Sequence, residues 1–228
     1  MKEDALHDPR VDPGDVRPEL AGQPPLDVRP VTLDGAHVRL EPLSLGHVEG
    51  LAAVGLDPAV WRWVTVDVRT RDELERWVRE ALAEQVAGTS LPFATIERAS
   101  GRAVGSSRYL NIDRRNRHLE IGWTWLAPAW QRSGINREAK LLMLRHAFET
   151  LGGLRVEFKT DSLNDQSRAA LLGIGATFEG IFRNHVISQG GRIRHSAWYS
   201  VTDRDWPAVR DRLESSLRRS DERVSRSG

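Results

Sequence analysis

Cysteine is missing from all 228 residues. That absence excludes a disulfide framework, a thiolate zinc site, an iron–sulfur cluster and any cysteine nucleophile. Net charge is nearly missing too, since 33 Lys and Arg against 32 Asp and Glu leave +1 with histidine neutral. Such a balance gives no long-range attraction to nucleic acid or to an anionic membrane, so neither is expected as a partner. Long apolar runs are also lacking. The longest mostly apolar stretch, residues 119–130, contains Glu120 and is too short to span a bilayer. The opening MKEDALHDPR has no apolar centre and does not read as a signal peptide. A soluble, cytoplasmic chain, monomer or homodimer, is the expectation.

The composition that is present, 39% hydrophobic with eight Trp, suits one domain able to bury roughly 70% of its unfolded surface. Residues 1–30 hold six of the eleven prolines and seven acids against four bases, and read as a flexible tail. From Val31 the pattern is structured. Two short strands flank Asp34-Gly35, and Ser44 caps a helix through Val48, Leu51 and Ala52. Thr70 and Glu73 form a capping box before Leu74, Trp77, Val78 and Ala81, which Gly88 and Pro92 bring to an end. Strands are predicted over 93–97, 103–112 and 119–126, an antiparallel meander. A helix over 133–151 stops at Gly152-Gly153, and Val156, Phe158 and Thr160 alternate through a half-buried strand over 155–161. A helix over 165–174, strands over 177–188 and 192–201, and a last helix through Trp206, Val209, Leu213 and Leu217 complete the domain, 31–217. Residues 218–228 read as a disordered end. The unit 119–126, 133–151, 155–161 is a right-handed parallel crossover. The fold class is therefore α/β (α+β): a mixed, mostly antiparallel sheet flanked by helices.

Several chemistries fail on motif. There is no GxxxxGK[ST] loop, no HExxH and no GxSxG, and Gly173-Ile174-Gly175 ends a helix rather than opening one. His118-Leu119-Glu120 has the H-x-E spacing of zinc deaminases, but the cysteine partner is missing. No metal is expected. What stands out is the turn before the long helix, Gln131-Arg132-Ser133-Gly134-Ile135-Asn136. A helix start leaves backbone N–H groups unpaired and carries positive potential, which suits a pyrophosphate, although an ordinary helix capped by Ser133 has the same spacing.

That loop resembles the acyl-CoA loop (Q/R-x-x-G-x-G/A) of the GNAT acetyltransferases. Glu120-Ile121-Gly122-Trp123, the block Asn164-Asp165-Gln166-Ser167 and Phe178-Glu179-Gly180 are similar to the RimJ/RimL branch of that superfamily. The resemblance covers residues 31–217, with one departure: Asn136 stands where the family has Gly or Ala. It implies acetyl-CoA as donor, an amine acceptor such as a protein N-terminus, and a central parallel strand pair splayed to admit pantetheine. It further implies that Trp125 and Leu126 pair with the pantetheine, that residues 131–136 hold the pyrophosphate, and that Asn164 reaches the thiol end. Glu120 is the expected general base and Ser167 the expected proton donor to the leaving thiolate. A salt-bridged Glu and a helix-start Ser remain the plain alternatives, and His185 reads as a strand residue sooner than a base. Trp61, Trp63, Trp123, Trp125 and Trp130 are expected around the cleft, mostly as core. Rival functions are acetylation of a polyamine, amino acid or antibiotic amine, and CoA binding without turnover. An acetyl-cysteine intermediate is closed to a chain without cysteine.

Overall fold

The computed structural model describes residues 16–227. Eight strands form one sheet in the order β1-β2-β3-β4-β5-β6-β8-β7. These are β1 (Leu33–Asp34), β2 (Val38–Pro42), β3 (Ser90–Glu97), β4 (Ala103–Asp113), β5 (His118–Leu126), β6 (Arg155–Asp161), β7 (Thr177–Ile187) and β8 (Ile193–Thr202). Every neighbouring pair is antiparallel except β5 and β6. The helices are α1 (Val48–Gly55), α2 (Pro58–Trp61), α3 (Arg71–Val86), α4 (Ile135–Arg145), α5 (Asp165–Ile174) and α6 (Trp206–Ser227).

Each face of the sheet has its own core. On one, Trp61, Leu74, Trp77 and Val78 from α2 and α3 pack with Trp125 of β5. On the other, Leu141, Met143 and Leu144 of α4 and Val209 and Leu213 of α6 pack against Leu119, Ile121, Val156 and Phe158. The reciprocal Thr70–Glu73 capping box starts α3 as its sequence predicts. A π-type turn over His146–Thr150 extends α4 to the stop at Gly152, whose φ of +68° suits glycine.

Several boundaries differ from expectation. Pro92 lies inside β3 instead of ahead of it, because the strand starts at Ser90 and the Pro92 carbonyl still accepts from the Leu43 N–H. The helix start moves from Ser133 to Ile135, with Gly134 as the cap. Of the Pro-rich tail, residues 1–15 lie outside the described residues. Residues 16–30 are docked: Leu26 is 2% exposed and donates its N–H to the Arg114 carbonyl, and Arg17 pairs with Asp203. One buried leucine and an ion pair are enough to hold a proline-rich segment that has little conformational freedom to lose. At the other end α6 continues beyond 217 as a helix, where the sequence reads as disordered. Arg218 pairs with Glu214 one turn back, and Arg137 of α4 donates to the Ser220 hydroxyl.

Candidate functional site

The site begins where the parallel pair ends. β5 and β6 are bonded only at His118, Leu119 and Glu120, opposite Arg155, Val156 and Glu157. Beyond Glu120 the strands part. β5 turns away through a bulge that sets two residues, Trp123 and Thr124, against Ser107 of β4, with Trp123 at φ +49°. A tryptophan gains nothing locally from that conformation, so the surrounding packing must impose it. The bulge resets the alternation. Glu120, Trp123 and Trp125 turn to the α1–α3 face, whereas Leu119, Ile121 and Leu126 stay against α4.

Glu120 lies at the apex of the gap and is 1% exposed. Its Oε2 pairs with Lys159 Nζ at 2.9 Å and accepts from Asn111 Nδ2 at 2.8 Å. Oε1 makes no hydrogen bond, yet is not sealed from solvent. Burial raises the carboxyl above its usual pKa, and Lys159 and Asn111 pull against that rise. Beneath the bulge a second charge is buried. Lys140 of α4 donates to Thr124 Oγ1 at 2.8 Å, and Thr124 shares a hydrogen bond with Ser107 at 2.7 Å. Desolvation brings the Lys140 ammonium down to a pKa of about 7.

At the mouth of the gap the chain enters α4 through Arg132 at φ +63° and Gly134 at φ +91°. Among the described residues, no protein acceptor receives the backbone N–H groups of residues 132–137. A Cβ built on Gly134 would meet nothing within 4 Å, so the surface there is open. Asn136 turns Oδ1 inward without a partner, which leaves its amide donors for the accessible side. Unpaired donors at the positive end of a helix, with room above a glycine, fit a pyrophosphate.

Residues 37–177, more than half of the chain, match the acetyltransferase (GNAT) domain family. The chain belongs to this family. It is similar to the FsC-acetyl coenzyme A-N(2)-transacetylase of Aspergillus fumigatus, 28% identical over 193 residues and 77% of each chain. Its fold is similar to a GCN5-related N-acetyltransferase from Brucella melitensis: TM-score 0.78, 33% identity, covering 85% of this chain and 89% of that one. Mycobacterium smegmatis RimJ in complex with CoA-disulfide has a TM-score of 0.70 over 83% of this chain and 96% of its own, at 22% identity. That likeness is one of fold.

The GNAT fold uses acetyl-CoA, and the predicted site residues lie on the elements that border the gap. Trp125 and Leu126 lie on the free length of β5, and Asn164 and Ser167 begin α5 just past the end of β6. Some of their side chains are already engaged. Gln131, predicted to face the pyrophosphate, donates to the Leu126 carbonyl at 3.0 Å. Ser133 donates to the Trp130 carbonyl instead of capping α4, because the glycine after it takes the cap position. Asn164 Oδ1 caps α5 by accepting the Ser167 N–H at 3.1 Å. Trp61 is 0% exposed and Trp125 packs on it at 5.5 Å, so both belong to the core.

Sequence reasoning passed over Lys159, Asn111, Lys140, Gln189 and Arg194. For Lys159 a signal existed, because the alternation that puts Val156, Phe158 and Thr160 on one face puts Glu157, Lys159 and Asp161 on the other. For Gln189 there was none. From the β7–β8 turn its amide nitrogen lies 2.5–2.8 Å from the carbonyls of Trp61, Val64 and Val66, which share its two N–H donors. These bonds tie the segment after α2 to the far side of the gap and bridge it on the Glu120 face.

Proposed function

We propose that this acetyltransferase moves the acetyl group from acetyl-CoA to a primary amine, by direct attack with both substrates held in the β5–β6 gap. The observation that carries this reading is the parting of the strands directly beyond Glu120, with the unpaired N–H groups of residues 132–137 at the mouth of the same gap. Those N–H groups, with Arg132, Gly134, Ile135 and the Asn136 amide, would hold the pyrophosphate. The backbone edge at Trp125 and Leu126 that β6 leaves unpaired would pair with pantetheine, with Gln131 yielding the Leu126 carbonyl, and Asn164 would line the thiol end. When bound, acetyl-CoA supplies an activated thioester carbonyl.

An amine attacks only once it is neutral, so a proton must leave it. Glu120 takes that proton on Oε1, while Lys159 and Asn111 hold Oε2 and fix the carboxylate. Burial raises its pKa towards the working range and so matches it to the task. Ser167, in the first turn of α5, returns a proton to the departing sulfur. The bridge from Gln189 to residues 61–66 supports a small amine over a peptide, since a chain end needs an open groove. An N-terminal amine is the second reading, favoured by the resemblance of Asn164–Ser167 to the RimJ/RimL branch.

The test is release of free thiol from acetyl-CoA across amino acids, polyamines, antibiotic amines and peptides with free N-termini. Turnover with a small amine is the expected result. Turnover confined to peptides would favour the second reading. Binding of acetyl-CoA with no thiol released from any acceptor would make the chain a CoA-binding protein and overturn the proposal.

A further inference from the structure

The Glu120 face of the sheet carries one buried guanidinium that no carboxylate touches among the described residues, Asp161 and Glu120 acting on it only from longer range. Register sets Lys159 opposite Trp198 and Asp161 opposite Ser196, so Arg194, Ser196 and Trp198 of β8 share the face of Lys159 and Asp161. The neighbouring cations are each paired with a carboxylate. Lys159 has Glu120, Arg192 has Asp161, and Arg155 has Glu157 and Glu179. Arg194 is more deeply buried than any of these, at 8% exposed, and no carboxylate lies within 4 Å of it among the described residues. Its one hydrogen bond is long, from Nη1 to the Trp63 carbonyl at 3.4 Å. Nε is sealed without an acceptor, while Nη2 is neither bonded nor sealed. A buried, unpaired guanidinium costs free energy that an anion would recover.

The surroundings agree. His185, held by the Ser196 hydroxyl at 3.0 Å, is driven towards its neutral form by burial and by the charges of Lys159 and Arg194. The potential there is positive. A polyammonium acceptor would be repelled, and an anion would be drawn in. The Trp63 carbonyl, on the segment that Gln189 ties down, is the nearest acceptor to the guanidinium, which is buried and not on an open surface.

We propose that Arg194 anchors an oxyanion on the acceptor, so that the amine acetylated in this gap also carries a carboxylate or a phosphate. The proposal rests on the transferase reading. The planar fork of arginine matches either oxyanion, and Nη2 is the donor left free to meet it. The acceptor then spans the face, with its amine at Glu120 and its anion at Arg194.

Matched acceptors test this. Glycine, β-alanine, 4-aminobutanoate and 6-aminohexanoate are each compared with their carboxamides, and O-phosphoethanolamine with ethanolamine, by thiol release from acetyl-CoA. For at least one spacer the anionic member should exceed its neutral partner by roughly 10- to 100-fold in kcat/KM, the range of a charge-assisted hydrogen bond. Arg194→Gln should abolish that preference, and Arg194→Lys should keep part of it. Which anion wins identifies the acceptor class. Equal use of neutral and anionic members by the wild-type protein overturns the proposal with no variant needed, as does a preference that survives Arg194→Gln. A second readout works without turnover: tryptophan fluorescence titrated with the N-acetylated acids and phosphate, and with their neutral counterparts. If acetyl-CoA fails to bind, the transferase reading falls. The titration still decides the oxyanion site, because selective anion binding that is lost in Arg194→Gln sustains it, and unselective binding or none removes it.

Discussion

At the closed end of the β5–β6 pair, His118, Leu119 and Glu120 meet Arg155, Val156 and Glu157 through a parallel ladder, Leu119 and Val156 fill the core, and Arg155 pairs with two carboxylates. At the open end the same strands separate. Among the described residues, backbone donors at 132–137 face no protein acceptor and Asn136 Oδ1 has no partner, and Trp123, Arg132 and Gly134 hold positive φ. Buried polar groups are normally satisfied, so a cluster of exceptions needs a cause. At the start of α4 the buried Asn136 Oδ1 and the unpaired backbone donors lie together, where we propose that the cofactor's phosphates sit. The closed end maintains the fold, and the open end is where we propose that the cofactor binds.

The sharpest way to break this comparison is Gly134→Glu. A Cβ at this position meets nothing within 4 Å, so the longer side chain has room to leave the backbone and bring a carboxylate to the unpaired N–H groups. Its positive φ costs about 1–2 kcal/mol in a non-glycine residue, a loss the domain can tolerate. Acetyl-CoA affinity should fall by more than 100-fold in calorimetry while the thermal midpoint drops by only a few degrees. Unchanged affinity would mean that the open end is not the phosphate site.

Glu120→Gln probes the junction of the two ends. Shape and the Asn111 contact survive, but Gln cannot accept the amine's proton. A loss of roughly 10²–10⁴ in kcat is expected, with acetyl-CoA affinity little changed. The pH profile is the stronger readout. In the wild type, activity falls as pH drops through the raised pKa of Glu120, because the protonated carboxyl is no base. The variant should lose that acid limb, and a limb that persists assigns the base elsewhere.

Most elements were legible in the sequence because their signals are local. The Thr70–Glu73 capping box starts α3, Gly152-Gly153 ends the helical stretch, and the alternation over 155–161 gives β6. The glycine turn that starts α4 was legible for the same reason, since a glycine at a helix start is a signal contained in a few residues. What escaped depends on partners distant in sequence. Nothing in Gly122-Trp123-Thr124 announces a bulge, because its partners are distant in sequence: Trp123 and Trp125 pack against Trp77, and Thr124 bonds Ser107 and Lys140. The docked segment around Leu26 relies on Arg114, and the bridge over the gap on Gln189 reaching back to Trp61. Lys140 reads as one more polar helix residue until Thr124 and Phe158 are seen around it.

Lys140 supplies the finest distinction, because it is buried polarity on the α4 side whose direct partner is a hydroxyl, with Glu120 acting on it only through space. Its pKa is about 7 in the folded chain against 10.5 for an ordinary lysine. Between those values the unfolded chain binds more protons, so stability rises with pH, by at most about 1.4 kcal/mol per unit. Below pH 7 both states are protonated and the folded state bears the full cost of a buried ammonium. Lys140→Met keeps the volume and removes the charge, so it should stabilise the protein most at pH 7 and below, and little near pH 10. Urea melts at pH 6, 7, 8 and 9 would show the wild-type midpoint climbing and the variant's staying flat. A variant less stable than wild type at pH 6 would mean that the Thr124–Ser107 hydrogen bonds outweigh desolvation. The α4 side of the bulge would then be a satisfied structural network like the closed end, not an electrostatic strain beside the open one.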